Sequence, residues 1–231
     1  MIKLYIGNKN YSSWSMRPWV LLKAFGIPFD EVKLRFDFSP GSSFYQTLAT
    51  LCPTSQVPVL VEPDGFAVWD TLAITEYLAD SHPEMSIWPR DLRQRARARS
   101  LCAEMHAGFG SLRTLCPMNI EADDLHAVGQ QLLATEPALR SDLKRLNELW
   151  ADALAAIGGP FHPFLFGEFS AVDAYFAPMV MRTSRYGLPL VPVAAAYAQA
   201  VERHPAVAAW ISDALAEHDF LDFEEPYRQP G

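Results

Sequence analysis

Three serines and a tryptophan occupy four consecutive positions near the start of the chain, Ser12, Ser13, Trp14 and Ser15. Apolar alternation ends just before them and a helical stripe follows, so they are predicted to lie in a turn at a helix N-terminus. A thiol bound there is favoured as thiolate by the positive helix end and a donated O–H bond. Because the segment holds no histidine or acid, the serines are predicted to donate to a bound sulfur. The alternative is N-capping by Ser15 alone.

The segment "SQVPVL" is a candidate for binding an extended, peptide-like ligand. Pro58 stands just before a predicted strand, where a proline can hold a cis peptide bond. With a cis bond, Val57 would turn its backbone N–H and C=O outward, where a ligand can pair with them. An ordinary strand-initiating proline explains the spacing equally well.

Asp70 and Thr71 stand at the predicted start of another helix, in "WDTLAIT". A hydroxyl and free backbone N–H groups can bind a carboxylate there, while Asp70 can bind an ammonium group. The pair therefore suits the headgroup of an α-amino acid. A simple N-cap is the alternative.

These motifs need a scaffold, and the first third of the chain alternates strand and helix patterns. "MIKLYIG" predicts a half-buried strand, Met16–Phe25 predicts a helix with Pro18 in its first turn, and "FDEVKL" predicts a second strand. Strand, helix and strand in close succession favour a parallel βαβ unit. Two apolar runs around "PDG" then predict an antiparallel hairpin, followed by a helix from Thr71.

A proline-bearing stretch, residues 81–91, is the candidate linker to a second lobe. We therefore predict a first domain over residues 1–80 and an all-helical domain over residues 92–231. Its main predicted helices are Leu92 to about Thr114, about Pro137 to Ile157, and Ala171 to about Arg185. The acidic end from Glu217 is predicted to be a solvated tail; the alternative is that its Phe220 and Phe223 dock on the body of the protein.

Four-residue spacing in the first of these helices places Met105, Phe109 and Arg113 on one face. Together with Tyr11 and Trp14 they are predicted to line a pocket for a second ligand, beside the ligand bound at the serine turn. The alternative is that Met105 and Phe109 belong to the core.

Composition excludes several function classes. The 231 residues hold 19 Lys+Arg against 27 Asp+Glu, a net charge of −8, which argues against broad nucleic-acid affinity. No apolar run is long enough to span a bilayer, so we expect a cytoplasmic protein that does not bind membranes. Three scattered cysteines and six histidines without helical pairing predict neither a disulfide framework nor a metal site.

Over nearly its whole length the chain resembles the cytosolic glutathione transferase superfamily. "YSSWSMRPW" resembles the serine-type catalytic turn, "SQVPVL" the cis-proline segment, and "DTLAITEYLAD" the helix start that holds the γ-glutamyl end of glutathione. "FGEFSAVDAYFAPMV" resembles the family's folding signature, with Ser170 and Asp173 as a short capping box. The resemblance implies a thioredoxin-like domain followed by an all-helical domain, glutathione as cosubstrate, and a homodimer.

The Ser-Ser-x-Ser pattern followed by Arg17 is similar to the zeta class, whose members include maleylacetoacetate isomerases. Alignment on Arg17 implies that Ser12 stabilises the thiolate, with Ser13 second. The zeta pattern carries a cysteine where this chain has Trp14, and Asp70-Thr71 replaces the family's usual Glu or Gln followed by Ser.

The resemblance implies a glutathione transferase that adds glutathione to a small hydrophobic or carboxylate-bearing electrophile. One alternative is a zeta-like isomerase in which Arg17 or Arg113 receives the substrate carboxylates. Another is a non-catalytic binding module on the same fold.

Overall fold

A four-stranded sheet organises the first half of the chain in the computed structural model, which describes residues 1–157 and 162–228. Its strands are β1 (Ile2–Ile6), β2 (Phe29–Lys33), β3 (Val59–Val61) and β4 (Ala67–Trp69). The spatial order is β2-β1-β3-β4, with β1 parallel to β2 and antiparallel to β3. Strands β3 and β4 form the antiparallel hairpin that the sequence predicts.

Three helices accompany the sheet, α1 (Ser13–Ala24), α2 (Ser43–Ala49) and α3 (Thr71–Ser81). Helix α1 links β1 to β2, which confirms the predicted parallel βαβ unit. It begins three residues before the predicted start, so the expected first-turn position of Pro18 is wrong. Pro18 lies inside the helix, where it leaves one backbone carbonyl of the preceding turn without its usual N–H donor.

The second half is helical in the part of the chain that the structure describes, as predicted. Its helices are α4 (Leu92–Ala107), α5 (Gly110–Leu115), α6 (His126–Thr135), α7 (Pro137–Ile157), α8 (Ala171–Arg185), α9 (Pro192–Arg203) and α10 (Pro205–Leu215), and a short 3-10 turn follows at Asp222–Glu224. Helix α3 ends at Ser81 and α4 begins at Leu92, and the predicted domain limits stay a prediction. Among the described helices, none has the length and apolar content that crossing a membrane requires.

The predicted continuous helix from Leu92 to Thr114 is wrong. It breaks at Gly108 and Phe109, where Phe109 adopts a left-handed backbone with φ of 56°. Because Met105 lies in α4, Phe109 lies between the helices and Arg113 lies in α5, the three residues do not share a helix face. Met105 and Phe109 are buried in the main core instead.

Helix α8 runs through the centre of the helical half and is buried from Ala171 to Thr183. Its start is the predicted capping box, since the Asp173 carboxylate accepts from the Ser170 backbone N–H at 2.9 Å. Burial raises the pKa of Asp173 to about 6, although these hydrogen bonds lower it. Helix α1 packs directly on α8, and this contact joins the two halves of the molecule.

The C-terminal segment is not the solvated tail that its acidic composition predicts; residues 229–231 of that prediction lie outside the described part. Leu221 and Glu225 are buried against the body of the protein. The Glu225 carboxylate accepts hydrogen bonds from the Tyr11 hydroxyl at 2.7 Å and from the Asn119 amide at 2.6 Å. Long-range polar partners thus hold the segment where composition alone favours solvent.

Candidate active site

A cavity of about 830 Å³ opens between the sheet and the helical half. Its size lies in the upper part of the range typical of small-molecule sites. Nine of the predicted site residues line it, namely Tyr11, Ser12, Ser13, Trp14, Val57, Pro58, Asp70, Thr71 and Arg113. Met105 and Phe109 do not, because both side chains are buried in the core.

The serine turn sits at the start of α1, immediately after β1. The Ser12 hydroxyl donates to the Ser15 hydroxyl oxygen at 2.7 Å, and the Gly7 backbone N–H donates to the same oxygen at 3.1 Å. Ser15 is therefore not the N-cap that the simpler interpretation assigned to it. Its hydroxyl oxygen connects the turn to the end of β1 and accepts the hydrogen bond that Ser12 donates.

Ser13 has a different partner, reached from the far half of the chain. Its hydroxyl oxygen accepts a hydrogen bond from Nη2 of Arg182 on α8 at 3.3 Å, while Arg182 Nε donates to the Cys116 carbonyl at 2.9 Å. Burial, with the charges of Arg17 and Arg113, lowers the pKa of Arg182 to about 9. The guanidinium therefore stays protonated at neutral pH.

Trp14, half-buried at the cavity wall, organises a cationic cluster. The Arg17 guanidinium carbon lies 4.1 Å from the centre of its ring and that of Arg113 lies 4.8 Å away. The His106 ring meets its edge at a centroid distance of 5.0 Å. Cation–π contacts of this kind stabilise a guanidinium by roughly 0.5–2 kcal/mol.

The expectation that Arg17 receives a substrate carboxylate is wrong for this geometry. Arg17 is buried between Trp14 and the Tyr175 ring, 4.6 Å from the latter, and does not line the cavity. Burial lowers its pKa to about 10. Among the described residues no acceptor pairs with its Nε and Nη1 atoms. Arg113, by contrast, faces the cavity.

The Val57–Pro58 peptide bond is cis, and both residues line the cavity. The strand β3 starts directly after it, at Val59. Within residues 1–157 and 162–228, neither the N–H nor the C=O group of Val57 makes a hydrogen bond. Both groups are therefore available to a ligand in the cavity.

Asp70 is both the N-cap of α3 and a wall of the cavity. Its Oδ1 accepts from the backbone N–H groups of Leu72 at 2.8 Å and Ala73 at 3.4 Å, and Oδ2 lies 3.3 Å from His106 Nε2. Its backbone has φ of 72°, a conformation that costs an L-residue of order 1–3 kcal/mol and recurs at functional sites. The Thr71 hydroxyl oxygen lies 2.6 Å from the Tyr175 hydroxyl, so one of these two hydroxyls donates to the other.

Sequence patterns missed several residues of the cavity. His106, Arg182 and Glu224 line it from α4, α8 and the C-terminal turn. Burial raises the pKa of Glu224 to about 7, although the charge of Arg182 lowers it. Aromatic residues form much of the remaining wall, namely Phe36, Phe38, Phe44, Tyr45 and Trp69. In the sequence, the only local sign of this wall is the high density of aromatic residues between positions 36 and 45.

The cysteines are all free and buried within the described residues. Cys52 packs in the small core beside the cavity. Burial raises the pKa of Cys116 to about 12 and that of Cys102 well above its usual range. Those two thiols are therefore unreactive at neutral pH. No group of three or more metal-ligating side chains occurs in the part of the chain described.

Comparison with known proteins adds independent evidence. The model described as "Glutathione S-transferase, N-terminal domain" matches residues 11–81, and "Glutathione S-transferase, C-terminal domain" matches residues 130–226. Together they span more than half of the chain and include the serine turn, Val57-Pro58, Asp70 and Arg182. The chain belongs to the glutathione S-transferase family. The resemblance predicted from its motifs is confirmed.

Three relatives illustrate the similarity of this glutathione S-transferase to known proteins. A maleylacetoacetate isomerase from Rattus norvegicus is 28% identical over 229 residues, 98% of this chain and 93% of the relative. A glutathione transferase homolog from Burkholderia, solved with bound glutathione, superposes with a TM-score of 0.66 at 24% identity, covering 94% and 99% of the two chains. Human glutathione-S-transferase T1-1 superposes with a TM-score of 0.68 at 23% identity, covering 95% of this chain and 92% of the human one. The two structures establish the shared fold.

Proposed function

We propose that this glutathione S-transferase binds glutathione in the cavity at the start of α1, activates its thiol as a thiolate and adds it to a small electrophile. The observation that carries the proposal is the convergence of the serine turn, the unpaired backbone of Val57 and the carboxylate of Asp70 on one cavity. Those groups complement a thiol, a peptide backbone and an ammonium group, which are the functional parts of glutathione.

The peptide backbone of glutathione and its α-amino-acid end would bind to different residues. Val57 would pair with the peptide backbone in the manner of an added strand, and Asp70 would accept from the α-ammonium group. The Thr71 hydroxyl would keep its hydrogen bond with the Tyr175 hydroxyl. The ligand carboxylate next to that ammonium group would face the N-terminal end of α3, whose positive potential favours it.

Activation rests on the environment of the thiol. The turn offers the N-terminus of α1 and serine hydroxyls, and Arg113 and Arg182 add positive charge along the same cavity. Lowering a thiol pKa by about two units favours thiolate over thiol by roughly 2.7 kcal/mol. A helix end, a donated hydrogen bond and partly desolvated cations are together sufficient for that amount.

The second substrate would lie against the aromatic and cationic wall. Trp14 and Phe38 offer apolar surface, while Arg113 and His106 offer hydrogen-bond donors to a carboxylate. This combination supports a small electrophile that is hydrophobic, carboxylate-bearing or both.

A zeta-like maleylacetoacetate isomerase is the second candidate, favoured by the 28% identity to the Rattus norvegicus isomerase over nearly the full chain. In that reaction glutathione adds to a cis double bond, the bond rotates, and glutathione leaves. Arg113 and Arg182, which line the cavity, replace buried Arg17 as candidates for the substrate carboxylates. A non-catalytic module remains the alternative from another class.

We also propose a homodimer in the cytoplasm. Leu92 at the start of α4 is 70% exposed and Phe66 in the β3–β4 hairpin is 55% exposed, so both offer apolar surface to a second copy. Free cysteines are typical of reducing compartments.

The decisive experiment is calorimetric titration with glutathione, followed by a substrate panel. Millimolar glutathione should give saturable binding, and the absence of any heat of binding would leave only the non-catalytic module. Turnover of maleylacetoacetate against aromatic halides and epoxides then separates isomerase from transferase.

A further inference from the structure

We infer that Ser13, held by Arg182, is the hydroxyl that contacts the activated sulfur, and that Ser12 serves to hold the turn together. The inference rests on the proposed function and reverses the order implied by resemblance to the zeta class. Arg182 is a positioning residue in this scheme, because it acts on the sulfur through Ser13 and through its charge.

The two serines differ in whether their hydroxyl proton is already donated in a hydrogen bond. A hydroxyl has one proton to donate. The proton of Ser12 goes to the Ser15 oxygen at 2.7 Å, which also accepts from the Gly7 N–H. Ser13 only accepts, from Arg182 Nη2 at 3.3 Å, and its own proton has no acceptor among the described residues. Ser13 can therefore donate to a sulfur without breaking an existing bond, whereas Ser12 cannot.

The geometry of Arg182 supports this assignment. Its Nε donates to the Cys116 carbonyl at 2.9 Å and its Nη1 to the Pro178 carbonyl at 3.4 Å. These bonds orient the planar guanidinium so that Nη2 reaches Ser13. Accepting from a cation polarises the Ser13 hydroxyl and makes it a better donor.

Arg182 is a buried cation that forms no salt bridge among the described residues. Only 5% of its surface is exposed. A buried charge without a partner is expensive, so an anion that enters the cavity beside Ser13 is stabilised. A thiolate on Ser13 meets that requirement.

Other titratable groups surround Arg182. They are Arg17 on α1, Arg113 on α5, Cys116 just after α5, Tyr186 at the end of α8 and Glu224 on the C-terminal turn. Two of the five are cations and one is a carboxylate, so the net field at Ser13 favours an anion at neutral pH.

The chemical step is a deprotonation. The thiol proton leaves to a solvent base, Ser13 keeps its own proton and donates it to the sulfur as a hydrogen bond, and no covalent bond of the protein changes. Nothing is oxidised or reduced.

The test is the apparent pKa of bound glutathione, followed by the ultraviolet absorbance of the thiolate, in Ser13→Ala, Ser12→Ala, Arg182→Lys and Arg182→Met. Ser13→Ala and Arg182→Met should each raise it by about one unit, which is about a tenfold loss of thiolate at a pH below the pKa. Arg182→Lys keeps the charge and should recover part of this shift. Ser12→Ala should shift it by less than a third as much.

S-methylglutathione, which cannot form a thiolate, separates thiolate stabilisation from structural damage. Ser13→Ala and Arg182→Met should weaken glutathione near pH 8 about tenfold while S-methylglutathione binding changes by less than twofold. Equal losses for both ligands would overturn the inference, and so would a large pKa shift in Ser12→Ala with none in Ser13→Ala. Failure of the unaltered protein to bind either ligand would overturn the proposed function itself.

Discussion

The hydroxyl oxygens of Thr71 and Tyr175 lie 2.6 Å apart and join the first turn of α3 to the second turn of α8. Tyr175 in turn packs its ring on the Arg17 guanidinium, which packs on Trp14. A continuous chain of contacts therefore runs from the proposed amino-acid end of the glutathione site to the serine turn. Thr71, predicted to contact the ligand, lines the cavity and also links the two halves of the molecule through this bond.

The first prediction concerns this bond. Thr71→Val and Tyr175→Phe should each lower the free energy of unfolding by about 1–2 kcal/mol, since each leaves a buried hydroxyl unpaired. The double variant should cost little more than either single change, with a coupling of roughly 1 kcal/mol in a denaturation cycle. Exposed Thr135→Val is the matched control. Strict additivity would show that the hydroxyls do not pair.

Asp70 is predicted to contribute binding more than stability. Asp70→Asn keeps an N-cap oxygen for α3, so the unfolding free energy should change by less than about 0.5 kcal/mol. Loss of the carboxylate charge should weaken glutathione binding by about 1.5–3 kcal/mol in calorimetry. A glutathione analogue without the α-ammonium group should bind both proteins equally. If the analogue also discriminates between them, Asp70 does not bind the ammonium group.

Replacing Trp14 tests the cationic cluster. Trp14→Cys restores the zeta pattern but removes the ring between the guanidinium groups of Arg17 and Arg113. We expect a loss of about 2 kcal/mol from the free energy of unfolding, because the packing and both cation–π contacts disappear. Trp14→Phe retains a ring and should lose less than half as much. Equal losses in urea denaturation would rule out a cation–π role.

Glu225 is predicted to anchor the C-terminal segment. Glu225→Ala leaves the buried Asn119 amide without its acceptor and removes the shorter of the two hydrogen bonds of the Tyr11 hydroxyl. It should therefore cost about 2 kcal/mol of stability. It should also expose the segment to limited proteolysis. Exposed Asp222→Ala is the control on the same turn and should leave both measurements nearly unchanged. A stable, protease-resistant Glu225→Ala protein would contradict this anchoring role.

The pH dependence of stability should carry a contribution from Glu224. Its pKa is about 7 in the folded state against an ordinary value of 4.5, so between these values the folded state holds a proton that the unfolded state releases. Stability from this group is therefore lost as pH rises from about 4.5 to 7. We therefore compare the free energy of unfolding of Glu224→Gln with that of the parent protein. After allowance for solvent screening, this difference should shift in favour of the variant by about 1 kcal/mol between pH 5 and pH 8.

Chemical denaturation of the parent and Glu224→Gln proteins at pH 5 and pH 8 measures this difference. Asp222→Asn, an exposed change on the same turn, should show the same pH dependence as the parent. A Glu224→Gln protein that tracks the parent at both pH values would show that the carboxyl group is ionised throughout.

The sequence by itself determined the features that depend on neighbours within a few positions. Period-two alternation located β1, a "PDG" turn located the β3–β4 hairpin, and Ser170 with Asp173 marked the start of α8. Asp70 was correctly placed at the start of α3 by capping rules. Such patterns are legible because backbone hydrogen bonding and side-chain periodicity act over two to four residues.

Local sequence rules gave the wrong helix limits around Phe109 and missed one short helix. Apolar spacing predicted one helix through Phe109, but the helix ends before the left-handed backbone at that residue, and Met105 and Phe109 are both buried in the core. Helix α2, only seven residues long, was too short for a helical period to be recognised.

Only the tertiary structure decided which polar groups meet in the cavity. Ser13 and Arg182 are 169 residues apart in the chain, and Tyr11 and Glu225 are 214 apart. No local pattern links such pairs, because burial and compensation of charge depend on which surfaces pack together. The sequence therefore predicted a thiol-binding turn, and the packing of α8 against α1 decided which of its serines has a free proton beside a buried cation.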